Sequence, residues 1–235
     1  MLKARVTNCL QKKWLRDEKR RMIQGLRDQQ GWVNRLLNAL LPNQVVQQFL
    51  NQREITFAPQ RYRAAVMFCD IVDFTQFCEG KDPQEVVEHL DRLVSRLEEI
   101  CAEYRLEKIK TIGDSFMATS GMLTYVENPV HNCINAAEVM QAAAAEVPPH
   151  WQLRIGIDFG SFVAGIVGRE KFQFDVWGQT INTAARIESE GENGAINLSQ
   201  AAWNEVSELV SCRVTHRELK GVGVQPVYVV NGSSS

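Results

Sequence analysis

The sequence predicts an α+β domain built on a strand-helix-strand-strand-helix-strand core, preceded by a helical connector. Three observations predict it. From Tyr62 onward, short runs rich in β-branched and aromatic residues alternate with runs whose apolar residues recur three and four apart. Two strand-like runs, Leu106 to Ile112 and Ser115 to Ser120, are separated by Gly113-Asp114 alone, which is hairpin spacing. Before about residue 58 the chain is instead rich in Lys, Arg and Gln.

Residues 1–58 therefore read as a helical, coiled-coil connector. The basic run Lys12, Lys13, Arg16, Lys19, Arg20 and Arg21 suits a solvated helix face. Behind it, Ile23, Leu26, Gln30, Val33, Leu37 and Leu40 alternate three and four apart, a heptad seam with one polar interruption. About two and a half heptads can assist a dimer but hardly make one alone. Pro42 ends the pattern, because proline disfavours helix at the residue before it. A short apolar helix, Val45 to Leu50, and a turn at Ala58-Pro59 lead into the main domain. Such a connector is the sort of element that would join the main domain to an upstream sensor or membrane segment.

The main domain is expected over residues 59–231. Ala64 to Val72 reads as a buried strand, and Pro83 to Tyr104 as a helix capped by Asp82 with proline in its first turn. After the hairpin, Asn128-Pro129 opens a helix that Pro148-Pro149 stops. Strands are expected at Gln152 to Asp158, Phe162 to Val167 and Phe172 to Val176, then a helix from Thr180 to about Glu190. The tail reads as strand (Ala195 to Leu198), helix (Gln200 to Leu209) and two strands (Cys212 to Leu219, Val227 to Val230). The first six of these elements have the order of a ferredoxin-like core, with extra strands and helices appended. Residues 232–235, Gly followed by three Ser, are expected to be a disordered tail.

Composition narrows the function. Net charge is −2, so the molecule lacks the polybasic field that non-specific nucleic-acid binding needs, and no nucleic-acid partner is expected. Six cysteines lie far apart without a Cys-x-x-Cys pair, which reads as a reduced, cytoplasmic protein. No apolar stretch approaches the roughly 20 residues that span a bilayer.

Asp70 and Asp114 stand where strand-like runs end, in Phe68-Cys69-Asp70-Ile71-Val72-Asp73-Phe74-Thr75 and in Ile112-Gly113-Asp114. Mg²⁺ typically takes one or two protein carboxylates while substrate phosphates and water fill its other positions. Either Asp alone also fits a turn or helix cap. The segment from Ile71 to Thr75, including Phe74, reads as a turn entering a helix, whose free N–H groups favour anions. The two acids and this turn together point to nucleotide chemistry.

Four strings in register, FCDIVDFT, EKIKTIGDSF, RIGIDFGSFVAGIVG and FDVWGQTINTAARIES, make residues 62–230 resemble the catalytic domains of class III nucleotidyl cyclases. The resemblance implies two divalent metal ions, Mg²⁺ or Mn²⁺, held by Asp70, Asp114 and the Ile71 carbonyl. It implies attack of a ribose 3′-OH on the α-phosphorus, with Arg186 stabilising the transferring phosphorus and Asn182 orienting the ribose. These two are four apart, on one helix face, a spacing that equally fits a solvated face. Arg154 and Lys220 match phosphate-contacting positions, although basic residues at strand ends are common. The loop Lys220-Gly221-Val222-Gly223 departs from the family's frequent Lys-Gly-Lys-Gly by its Val222.

By the same resemblance Lys110 and Asp175 read the purine. A Lys donor and an Asp acceptor complement adenine N1 and its 6-amino group, whereas guanine reverses both edges. ATP is the implied substrate and an adenylate cyclase the implied enzyme. Lys110 shares its run with Lys108, however, and a side chain facing water is the alternative. In the family, Lys110, Asp175, Asn182, Arg186 and Lys220 come from one subunit and Asp70, Asp114 and Arg154 from its partner, so a homodimer with composite sites is implied. Two other readings stand beside it: a guanylate or mixed-specificity cyclase, and a non-catalytic regulatory module of the same fold.

Overall fold

The computed structural model describes residues 2–52, 58–168 and 173–231. The expected tail at 232–235 and Phe172 lie outside them. The chain divides into two compact units, Met1–Ile55 and Thr56–Ser235.

The first unit is a long helix, α1 (Leu2–Leu40), and a short one, α2 (Asn43–Gln52), with Pro42 between them. In α2, Val45, Val46 and Phe49 are buried. The seam of α1 is open along much of its length: Leu26 is 57% exposed, Val33 44% and Leu40 77%.

The second unit runs β1 (Gln60–Ile71), α3 (Phe74–Cys78), α4 (Pro83–Glu103), β2 (Glu107–Ile112), β3 (Ser115–Ser120), α5 (Pro129–Glu146), β4 (Leu153–Val167), β5 (Gln173–Trp177), α6 (Gln179–Ser189), β6 (Ile196–Leu198), α7 (Gln200–Val206), β7 (Cys212–Leu219) and β8 (Gly223–Val230). The strands form one sheet in the order β2-β3-β1-β4-β6-β8-β7, with β5 paired to β4 off this path. Helix starts follow their sequence signals. The side chains of Asp82, Asn128 and Ser199 accept bonds from the amides of Gln84, His131 and Ala202 and so cap α4, α5 and α7.

One expectation is corrected. Gln152 to Asp158 and Phe162 to Val167 are not two strands but the two ends of the single β4, which pairs antiparallel with β1 from Ile71↔Leu153 to Gln60↔Ala164. Gly160 falls between the two expected strands, yet it lies inside the single one. A Cβ there would stand 2.7 Å from the Thr180 hydroxyl, so glycine makes room for the start of α6 rather than for a turn.

The period of two along the central strands sorts their residues between two faces. Ala65, Met67, Cys69 and Ile71 of β1 and Leu153, Ile155 and Ile157 of β4 join the core made with Leu93, Leu97 and Ile100 of α4, with α5, and with Ala202 and Val206 of α7. The alternate residues face α6. Asp70 and Arg154 belong to that second face, at the end where β1 finishes and β4 begins. Among the described residues no helix is long and apolar enough to cross a membrane.

Candidate active site

Asp70 is the penultimate residue of β1, and the strand register sets it opposite Arg154. Arg154 Nη2 donates to Asp70 Oδ2 at 3.3 Å. Asp114 arrives from the β2–β3 turn, where Gly113 takes φ 65°, the left-handed setting that a two-residue hairpin needs at its first central position. The Asp114 carboxylate comes within hydrogen-bonding reach of Asp70. Burial first, and then the charge of Asp114, push the Asp70 carboxyl above the ordinary Asp range, while Arg154 pulls it back.

Arg154 has two further partners that the sequence did not single out. Its Nε donates to Glu188 Oε1 at 2.8 Å, and its Nη1 to Asn193 Oδ1 at 3.1 Å. Glu188 is 6% exposed on the face of α6 that turns toward the sheet. Its signal in the sequence was an acid at a buried helix position beside Ala184 and Ile187, which requires a cation nearby. The fixed charges here are three carboxylates, Asp70, Asp114 and Glu188, against the one guanidinium of Arg154.

This donor set fits a divalent cation that arrives with its substrate. Among the described residues no three or more His, Cys, Asp or Glu side chains are grouped to hold a metal by themselves. Two adjoining carboxylates with an excess of negative charge are what Mg²⁺ uses when phosphates and water complete its shell. The Ile71 carbonyl follows Asp70 directly. Beyond it Asp73, at φ 58°, turns the chain into α3 without capping it through its side chain. Phe74 and Thr75 are the first residues of that five-residue helix.

Lys110 and Asp175 meet. Lys110 Nζ donates to Asp175 Oδ2 at 2.6 Å, and Asp175 is 7% exposed. The sequence left open whether Lys110 faces water with Lys108. A bulge decides it, because the β2–β3 register shifts between these residues, Lys108 opposing Ala118 and Lys110 opposing Met117. One inserted residue, Ile109, sends consecutive lysines of a period-two strand to opposite faces. Lys108 pairs with Glu98 of α4, and Lys110 reaches β5.

Asn182 and Arg186 lie one turn apart on α6, as their spacing predicts. A Cβ built at Gly221 would lie 3.9 Å from Arg186 Nη2, so Arg186 adjoins the Lys220-Gly221 turn between β7 and β8. Gly221 and Gly223 adopt φ 74° and 84° there, and Lys220 is exposed. A cavity of about 240 Å³ opens beside Arg186, lined also by Thr183, Leu219, Val222 and Gln225. The chain thus brings Arg154 and Asp114 to Asp70, Lys110 to Asp175, and Arg186 to the Lys220-Gly221 turn.

Residues 57–232 match the family model of the adenylate and guanylate cyclase catalytic domain. A germination-specific adenylate cyclase of Dictyostelium discoideum is 33% identical over 213 residues, covering 86% of this chain and 24% of that protein. The soluble guanylate cyclase subunit beta-2 of Rattus norvegicus is 32% identical, covering 82% of this chain and 29% of that one. The chain therefore spans less than a third of the length of either relative. The adenylyl cyclase CyaB of P. aeruginosa shares the fold, with a TM-score of 0.70 at 22% identity over 76% of this chain and 98% of that one.

Proposed function

Since this chain belongs to the adenylate and guanylate cyclase catalytic-domain family, we propose that it is an adenylate cyclase, converting ATP to 3′,5′-cyclic AMP and pyrophosphate at sites shared between two identical subunits. Overall similarity does not choose the base, because relatives of both kinds stand at nearly equal identity. The Lys110–Asp175 pair carries the choice. It presents a donor beside an acceptor, matching adenine N1 and the 6-amino group, whereas guanine would set Lys110 against a donor and Asp175 against an acceptor. Each buried mismatch costs about 1–3 kcal/mol, a preference of at least about tenfold.

Asp70, Asp114 and the Ile71 carbonyl would hold two divalent ions, Mg²⁺ or Mn²⁺. When bound, these supply acidification of the 3′-hydroxyl and neutralisation of the triphosphate. Arg186 stabilises charge on the α-phosphorus, and Asn182 orients the ribose. Arg154, Lys220 and the amides of Phe74 and Thr75 bind the outgoing phosphates. The ribose 3′-oxygen forms its bond to the α-phosphorus as the bond to pyrophosphate breaks, and the hydroxyl proton passes to water. Membership of the family supports a composite site, completed head to tail by a second copy.

Product analysis with ATP and with GTP, in Mg²⁺ and in Mn²⁺, tests the assignment. Cyclic AMP with little cyclic GMP is expected. Equal or greater product from GTP overturns the base assignment, and no cyclic product from either nucleotide overturns the enzyme. For the shared site, inactive Asp70→Ala and inactive Arg186→Ala chains are mixed. Heterodimers regain one intact site, and subunit exchange without recovered turnover refutes sharing.

A further inference from the structure

We infer that Glu188 is a positioning residue that fixes the reach of Arg154 toward substrate phosphate; the inference rests on the cyclase reading above. Arg154 has three protein acceptors, and they are not equivalent. Glu188 takes Nε at 2.8 Å and Asn193 takes Nη1 at 3.1 Å, while the contact of Nη2 with Asp70 is the longest at 3.3 Å. Asp70 is also the group whose lone pairs a divalent ion would claim. When it turns to that ion, Nη2 is the arm released to a phosphate oxygen, and Glu188 with Asn193 keeps the guanidinium plane in place. Charge-assisted bonds of this kind fix direction as well as distance.

The anchor itself is rigid. A Cβ at Gly156, two residues beyond Arg154 on β4, would stand 2.2 Å from the Glu188 amide nitrogen and 2.6 Å from its Cα. The backbone of α6 at Glu188 thus rests directly on the strand that carries Arg154, and the short carboxylate arm starts from a fixed point. Glu188 also follows Arg186 by two residues on the same helix. One rigid element therefore sets the positions of both arginines, Arg186 directly and Arg154 through Glu188. Because composite sites use these arginines in different active centres, α6 joins the two centres of the dimer.

The test is a double-mutant cycle on the full chain, read by calorimetric binding of pyrophosphate in Mg²⁺ buffer and by KM and kcat for ATP. Glu188→Gln keeps the size and an acceptor oxygen but removes the charge. It is expected to weaken pyrophosphate binding roughly tenfold and to raise KM in parallel, with a smaller change in kcat. In an Arg154→Ala background the same substitution changes pyrophosphate affinity by less than about twofold, because Glu188 acts through Arg154. If Glu188→Gln melts below the working temperature, Glu188→Asp keeps the charge, retracts it by one methylene and gives the same pattern at smaller size. Equal losses with and without Arg154, or no loss in wild-type background, overturn the inference. Wild-type chain that makes no cyclic nucleotide yet shows the pyrophosphate cycle refutes the cyclase reading alone.

Discussion

At the scale of single residues, the pressure between Asp70 and Asp114 is the physical fact from which most of the chemistry follows. Burial and the Asp114 charge raise the Asp70 carboxyl above its ordinary range, so the folded chain binds this proton more readily than the unfolded chain does. The contribution to stability is then largest on the acid side and is lost as pH rises through the folded pKa. A divalent ion bound at Asp70 would reverse the sense by making the ionised form the favoured one. Asp114→Asn is accordingly expected to raise the melting temperature of the metal-free protein by a few degrees. It should cut turnover at least ~10²-fold, the loss typical of one transition-state electrostatic group. Melting with and without Mn²⁺ reads both charges at once: wild type should gain from the ion and the variant should gain less. A variant that melts lower without metal and still turns over would remove Asp114 from this role. Base choice is a residue-scale matter too. Lys110→Glu combined with Asp175→Cys should lower kcat/KM for ATP by at least about tenfold and raise it for GTP; a loss on both nucleotides would mean that the pair supports the fold rather than reads the base.

At the scale of elements, the site depends on how closely α6 lies on β4. Gly156→Ala places a methyl group against the Glu188 main chain, where neither strand nor helix can yield cheaply. A loss of about 2–3 kcal/mol is expected, visible as a fall in melting temperature of roughly 5–10 °C. Gly25→Ala is the contrasting control. Nothing lies within 4 Å of a Cβ there, and replacing a mid-helix glycine stabilises α1 by roughly 0.5–1 kcal/mol. Unchanged stability in Gly156→Ala would mean that α6 is free to lift from the sheet. These contacts also mark where the sequence stopped being legible. Caps, proline stops and the Gly113-Asp114 hairpin are local devices, and they placed α4, α5, β2 and β3 within a residue or two. The continuity of β4 was missed, since a glycine such as Gly160 that admits a helix on the opposite face has the same spelling as a glycine that turns the chain. The bulge at Ile109 could not be foreseen, since an extra residue shows only against the partner strand. Asp70, Asp114, Lys110 and Asp175 were singled out by their motifs, and the structure brings Asp114 to Asp70 and Lys110 to Asp175. Glu188 and Asn193 were not, because their partner Arg154 lies 34 and 39 residues away along the chain.

At the scale of the molecule, the proposed composite site would make activity a matter of association, and α1 has apolar surface exposed along it. Its 39 residues span about 58 Å at 1.5 Å per residue. A helix of that length whose seam stands open, with Leu26, Val33 and Leu40 all more than 40% exposed, gains little by itself from amphipathicity. In a parallel pair of copies, Gln30 meets Gln30 in the seam, the arrangement by which a single polar core position favours one register at a cost in stability. Serine at both Leu26 and Val33 removes two apolar layers and lies far from the catalytic residues in sequence. The Leu26→Ser, Val33→Ser chain is therefore expected to need roughly ten- to a hundredfold more protein for half-maximal specific activity, about 1.4–2.7 kcal/mol lost per pair of copies, with its plateau unchanged. Gln30→Leu should shift the same curve the other way, since an apolar layer replaces a polar one. Dilution series of specific activity, run beside sedimentation of the same samples, separate the alternatives. Curves that coincide for all three chains would assign dimerisation wholly to the catalytic unit. A lowered plateau in the serine variant would mean instead that the connector sets the geometry of the paired sites and not merely their association.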